Sequence, residues 1–202
     1  FLFESGAHAG GTDKAFFRKN IAFAAVRGEL SKKRVEKILN RTLDIPTGDG
    51  GLLASYLVDK PIPRRYSLGI IPHFREQDCP DFQHIANRIA RSTIIDLRAE
   101  PLDVIKKIAS CECVISSSLH GLIVADSFGI PNQYVTATDR LRGDGFKFRD
   151  YYSAFGLDVS PIPIKKLVLK SLNQVYDSYR IDRRDVERKK QDLLRVCPVR
   201  SS

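Results

Sequence analysis

The pattern of apolar and polar positions changes character near residue 65. Beyond it, short apolar runs alternate with segments whose apolar residues fall three and four apart, the two periods that separate strand from helix. Tyr66 to Pro72 is a Leu- and Ile-rich run; Phe82, Ile85 and Ile89 repeat at helical spacing behind Pro80; Thr93 to Leu97 is strand-like again. Pro101 opens a helix with Leu102, Ile105, Ile108 and Ala109 on one face, Val114-Ile115 forms a buried strand, and Leu119, Leu122 and Ile123 give the next helix its apolar face. A strand near Gln133 to Thr136 completes the series. Strands this apolar, separated by helices, predict an α/β fold: a Rossmann-like parallel sheet covered on both faces, with right-handed crossovers.

The stretch Cys113 to Pro131 holds the strongest local signals. Ser116, Ser117 and Ser118 offer hydroxyls to cap the helix that follows, Gly129 suits its C′ position and Pro131 stops it. A helix N-terminus attracts anions, and His120 in the first turn adds a group that exchanges protons near neutral pH. Ligands of parallel sheets bind beyond the carboxyl ends of the strands. That rule nominates His73 and Phe74 after the first strand, Arg98 and Glu100 after the second, and Ser116 to His120 after the third. Singly, Glu100 reads as well as a residue preceding a helix, Arg98 as a surface charge and His73 as a strand-end cap; convergence on one rim favours function.

Before residue 65 the pattern is sparser. Ile21 to Val26 runs apolar into Arg27-Gly28; Leu30 to Val35 predicts a helix N-capped by Ser31 with Leu30 and Val35 as a hydrophobic staple; Gly48 to Gly51 is a glycine-rich turn. Residues 1–60 lack the strands for a domain and are expected to be the end of an N-terminal domain whose beginning is absent. Residues 61–180 form the C-terminal domain, and 181–202 a basic helix. Pro161 to Val196 is expected to be mostly helical, with Ile164, Leu167, Val168 and Leu172 on one face, and Gly143 to Tyr152 is a candidate substrate loop.

Composition narrows the partners. The 202 residues carry 33 Lys+Arg against 24 Asp+Glu, a net charge of +9, which favours anionic ligands. The basic residues concentrate at Lys32 to Arg41 and Arg180 to Arg195, without an RNA-binding or helix-turn-helix pattern, so no nucleic acid is expected. No run approaches the roughly 20 apolar residues of a membrane span and no signal peptide opens the chain, so a cytoplasmic protein is expected. Four irregularly spaced cysteines suggest neither a disulfide framework nor a zinc site, and no metal is expected. A chain that begins at Phe1 and contains no methionine reads as a fragment, or as a sequence from which methionines are missing.

Arg27-Gly28-Glu29-Leu30-Ser31, Gly48-Asp49-Gly50-Gly51-Leu52-Leu53, Gly69-Ile70-Ile71-Pro72-His73, Ser116 to Gly121 with Gly129-Ile130-Pro131, and Lys147-x-x-Asp150-Tyr151-Tyr152 together resemble the polysaccharide pyruvyl transferase family. Phe3 to Ala7 is similar to the family's glycine-containing strand end. The resemblance implies a GT-B-like architecture of two Rossmann-like domains, of which this chain holds the C-terminal, donor-binding half and an incomplete N-terminal domain braced by the last helix. It also implies transfer of pyruvate from phosphoenolpyruvate to two hydroxyls of one sugar, with no cofactor beyond that donor. His120 is then the acid/base group; Ser116, Ser117 and Ser118 hold phosphate; Arg27, Arg98 or Lys147 pairs with the carboxylate. Many members carry arginine two residues before the histidine, where this chain has Ser118. The expected acceptor is a lipid-linked cell-surface or exopolysaccharide sugar, with peripheral contact at the inner face of an anionic membrane. Two other readings stay open: a GT-B glycosyltransferase using a nucleotide sugar, with Glu100 on the sugar or ribose, and a non-catalytic polysaccharide-associated module.

Overall fold

The computed structural model describes residues 2–3, 22–138, 145–167 and 172–197. The chain divides into two compact units: 1–50, 143–159 and 184–202 form the first, and 51–142 with 160–183 the second.

In the first unit, β1 (Leu2–Phe3) pairs in parallel with β2 (Ala25–Val26), and Val26 forms a further parallel bridge with Thr47. Helix α1 (Glu29–Leu39) lays Val35 against Phe23, Val26 and Leu43. It starts three residues earlier than expected, because its cap comes from elsewhere in the chain. The Asp150 carboxylate, in α5 (Phe146–Ser153), accepts the Ser31 backbone N–H at 2.8 Å and the Ser31 hydroxyl at 2.6 Å. A carboxylate suits the positive end of the helix dipole. Gly28 precedes the helix because a Cβ there would lie 1.7 Å from the Asp150 carbonyl oxygen. Leu30 is exposed, so the expected staple does not form.

The last helix, α7 (Arg183–Val196), buries Val186 and Leu193 but also Lys189 and Lys190. Lys189 Nζ donates to the Thr47 carbonyl at 3.0 Å and lies 5.4 Å from the Phe155 ring centre. Lys190 pairs with Glu187 at 2.8 Å. Arg183, Arg184 and Arg188 remain exposed, so this basic helix is not uniformly a solvated face.

The second unit is Rossmann-like. Its five parallel strands run in the order β4 (Ser92–Ile94), β3 (Tyr66–Ile71), β5 (Cys111–Ser116), β6 (Asn132–Thr136) and β7 (Ile162–Pro163). Alternating side chains of the central strands feed two cores, as a doubly covered sheet requires. Leu68, Ile70, Cys113, Ile115 and Val135 pack with Phe82 and Ile85 of α2 (Pro80–Arg88) and Val175 of α6 (Asn173–Ser178). Ile71 and Val114 pack on the other face with Val104 and Ile108 of α3 (Pro101–Ala109) and Ala125 of α4 (Leu119–Ser127). Burial on α3 falls on Val104, Ile108 and Ala109, while Leu102 is exposed.

Helix α4 is buried almost all round, with Leu119, Gly121, Leu122, Ile123, Ala125, Asp126 and Ser127 inside. It therefore has no single apolar stripe. It ends as expected: Gly129 takes φ 62°, its N–H donates to the Asp126 carbonyl at 2.9 Å, and the Ile130 N–H reaches the Ala125 carbonyl at 2.9 Å. Those two bonds are the Schellman pattern. The C-terminal tail is less helical than expected, since Ile162–Pro163 joins the sheet and Ile164–Lys166 is a 3₁₀ turn. Val168 of the expected apolar face, Ser5-Gly6 and Gly143-Asp144 lie outside the described residues.

Candidate active site

The carboxyl ends of β3, β5 and β6 converge on one rim, where the chain leaving β5 turns directly into α4. The serines there do not cap the helix as expected. Ser116 Oγ accepts the Ser118 N–H at 3.0 Å and lies 3.0 Å from the Ile71 carbonyl and 2.9 Å from that of Ser118. The Ser117 N–H donates to the Ile71 carbonyl at 3.1 Å, and its hydroxyl accepts the His73 N–H at 2.9 Å. Ser118 occupies the N-cap position without a side-chain capping bond. The hydroxyls of Ser116 and Ser117, both fully buried, thus tie β3 to β5. What this turn offers an anion is the first-turn N–H groups of α4 and the positive end of its dipole.

Gly121 shows how tightly that first turn is seated. A Cβ on it would fall 2.6 Å from Ser116 Oγ and 2.9 Å from Ile71 Cγ2. With the rest of α4 buried or half-buried, His120 is its exposed residue. The fold presents that imidazole to solvent at the rim from a helix whose other residues are buried or half-buried.

His73 follows β3 and stands beside Ser117 through the bond just described. Its Nδ1 accepts the Arg75 N–H at 3.3 Å, and its ring lies 4.4 Å from that of Phe74, which is 55% exposed. The Arg75 guanidinium sits 5.4 Å from the Phe74 ring centre. The turn closes through the Glu76 N–H, which donates to the His73 carbonyl at 2.7 Å.

Sequence reasoning missed Glu76, which is fully buried. Its Oε1 accepts both the N–H and the hydroxyl of Thr138, at 2.8 and 2.9 Å, whereas Oε2 is buried without a hydrogen-bond partner among the described residues. No periodicity or motif marks this residue; its setting depends on a loop 62 positions away.

Arg98 and Glu100 follow β4, at the edge of the sheet. Arg98 is exposed, and both its guanidinium and its backbone N–H bind Asp96, at 2.7 and 2.9 Å for the shortest contacts. Those bonds hold the Asp96 carboxyl down at about 2. Gln77 donates to the same carboxylate at 3.2 Å, linking the loops after β3 and β4. Glu100 is exposed at the start of α3, where its carbonyl accepts the N–H groups of Asp103 and Val104.

Two nominated cations belong to the first unit. Arg27 Nε donates to Asp49 at 2.9 Å in a largely buried pair. Lys147 is exposed on α5, with Nζ 5.3 Å from the Phe148 ring centre. Nearby, burial pushes the Asp150 carboxyl up, against the opposing pull of the Ser31 hydrogen bonds. Among the described residues there is no group of three or more His, Cys, Asp or Glu arranged for a metal ion, and no helix long and apolar enough to cross a membrane.

Comparison with known proteins gives a consistent family signal. A model of the polysaccharide pyruvyl transferase family matches residues 12–139. An uncharacterized protein of Acanthamoeba polyphaga mimivirus is 32% identical over 179 residues, covering 84% of this chain and 62% of that protein. The succinoglycan biosynthesis protein ExoV of Rhizobium meliloti is 29% identical over 96 residues, 48% of this chain and 29% of its own length. This chain therefore spans less than two thirds of either relative. No solved structure matches significantly.

Proposed function

Because this chain belongs to the polysaccharide pyruvyl transferase family, we propose that it transfers pyruvate from phosphoenolpyruvate onto two hydroxyls of one sugar, forming a cyclic ketal and releasing phosphate. The observation that carries the proposal is His120: an exposed imidazole on an otherwise buried helix, at the helix N-terminus beyond a parallel strand. Similarity to a succinoglycan biosynthesis protein supports an exopolysaccharide precursor as acceptor. A lipid-linked acceptor at the cytoplasmic face of a membrane, and a GT-B-like pairing of two Rossmann-like domains, belong to the same proposal.

The reaction sets demands that can be matched to side chains. An acid protonates the methylene carbon of phosphoenolpyruvate, making it a methyl group. The oxygen of one acceptor hydroxyl bonds to C2 and loses its proton to a base. The C2–O bond to phosphate then breaks, phosphate leaves with its oxygen, and the second hydroxyl closes the ketal at C2 with loss of its own proton. His120 is the acid, and the first turn of α4 faces the anionic donor. Ser118 contributes no charge, and the Arg98 guanidinium is tied to Asp96. Arg75, exposed on the His73 turn and forming no ion pair among the described residues, supplies a cation on this rim.

The test combines binding with turnover. Phosphoenolpyruvate at 100 times its Kd should stabilise the protein by about 2.7 kcal/mol, and a nucleotide sugar should not. His120→Ala should lower phosphate release by ~10²-fold or more while that stabilisation persists. Unchanged turnover in the variant removes His120 from the chemistry; stabilisation by the nucleotide sugar alone makes the donor a different molecule.

A further inference from the structure

We propose that Glu76 is a second catalytic residue of this rim, the base that accepts the proton of an attacking acceptor hydroxyl. The inference rests on the pyruvyl transfer reading above and adds to it the group that His120 alone cannot be. A single imidazole that delivers a proton to the methylene carbon is not at that moment available to remove one from a hydroxyl. The reaction therefore needs two groups with opposite protonation states.

Three observations select Glu76. First, its carboxylate is fully buried with its two oxygens unequally satisfied: Oε1 accepts two hydrogen bonds from Thr138, and Oε2 is buried with none among the described residues. Buried polar atoms are almost always paired, so a carboxylate oxygen orphaned among the described residues points to a donor from outside them. A sugar hydroxyl is such a donor, and its proton is the one the reaction must remove.

Second, topology places this carboxylate at the chemistry. Glu76 follows β3, Thr138 follows β6, and β5 lies between those strands in the sheet. The bonds from Thr138 to Glu76 therefore cross the carboxyl end of β5, the strand that leads into Ser117 and His120. The same turn is fastened to Ser117 through the His73 N–H.

Third, charge assigns the residue to the acceptor. Both ends of phosphoenolpyruvate are anionic and would be repelled by a carboxylate, whereas a neutral polyol is not. Because Glu76 is fully buried, a hydroxyl reaches Oε2 only if the structure around it opens, and Phe74 and Arg75, just before it in the chain, are exposed.

The experiment measures phosphate release from phosphoenolpyruvate, with methyl glucoside, galactoside and mannoside as acceptor probes, across pH 4 to 9 on the intact chain. Glu76→Gln keeps the shape and the Thr138 contact but cannot take a proton. It should lower turnover by ~10²-fold or more and remove the acid limb of the kcat/KM profile, while phosphoenolpyruvate still raises Tm as in wild type. Thr138→Val, which removes one of the bonds that orient the carboxylate, should give a smaller loss with the acid limb retained. It guards against a Glu76 variant that fails to fold. Wild-type turnover with an unchanged rate or an intact acid limb in Glu76→Gln overturns the assignment, and so does a Thr138→Val variant as active as wild type. Wild-type protein that releases no phosphate with any probe overturns the pyruvyl transfer reading, and this inference with it.

Discussion

Gly121→Ala puts the seating of α4 to a quantitative test. In an exposed helix the change would be favourable by about 1 kcal/mol, because glycine gives up the most backbone entropy on folding. Here the new methyl group has no room, standing 2.6 Å from Ser116 Oγ and 2.9 Å from Ile71 Cγ2. Neither neighbour is a flexible chain end: Ser116 and Ile71 are completely buried, and the Ser116 hydroxyl holds the Ser118 N–H. Relief requires α4 to lift off the sheet or Ser116 to turn away. Overpacking of a tight core costs about 1–3 kcal/mol, and a buried N–H left without its acceptor about 1–3 kcal/mol more. The penalties exceed the helix gain, so Gly121→Ala should destabilise the protein by about 1–5 kcal/mol in urea unfolding. The double-mutant cycle with Ser116→Ala sharpens the test, because deleting Oγ removes the closer of the two clashes. The two substitutions should cost less together than the sum of their separate costs, by at least ~0.5 kcal/mol. A Gly121→Ala protein as stable as wild type, or strictly additive costs, would refute the argument that α4 is clamped by Ser116.

Further expectations concern the charged groups. Asp150 has a native pKa above its unfolded value, so its contribution to stability is fully present below about pH 3.9 and falls as pH rises through the native value. Asp150→Asn should flatten that part of the stability profile measured by urea unfolding between pH 3.5 and 7, and an unchanged slope would exclude burial of the charge. Asp96 runs the other way: held down at about 2 by Arg98, it contributes stability above about pH 4 that is lost as pH falls towards 2. Arg98→Ala should remove this small, salt-sensitive dependence in acid unfolding, since the pair is exposed. If α7 meets an anionic membrane, replacing exposed Arg183, Arg184 and Arg188 by Gln should abolish co-sedimentation with anionic vesicles at low salt. Replacing buried Lys189 by Met should leave that binding in place; the opposite result would mean that α7 is not seated through Lys189 and Thr47.

The sequence by itself determined the elements whose burial is written in local pattern. The apolar runs Tyr66 to Pro72 and Val114-Ile115 read as covered strands and fall on β3 and β5, and Gly129-Ile130-Pro131 ends α4 through the left-handed glycine that its chemistry invites. The same patterns gave the order of strands and helices along the chain, and so the parallel, doubly covered sheet. They placed Ser116 to His120 at a strand-to-helix turn. Only the tertiary structure decided which atoms those residues touch. Serine hydroxyls beside a helix read as caps, yet the Ile71 carbonyl and the His73 N–H, more than 40 positions away in sequence, claim them. Ser31 reads as the cap of α1, yet Asp150, 119 positions later, takes over and draws the helix start forward. Lys189 and Lys190 belong to a basic run, the kind of segment that solvent usually covers, but are buried, Lys189 against Thr47. Glu76 reads as one more charged loop residue until Thr138 folds over it. The physical reason is common to all four. Periodicity reports whether a side chain is buried, because burial repeats with the backbone, but a hydrogen bond needs one particular partner, and folding brings that partner from anywhere along the chain.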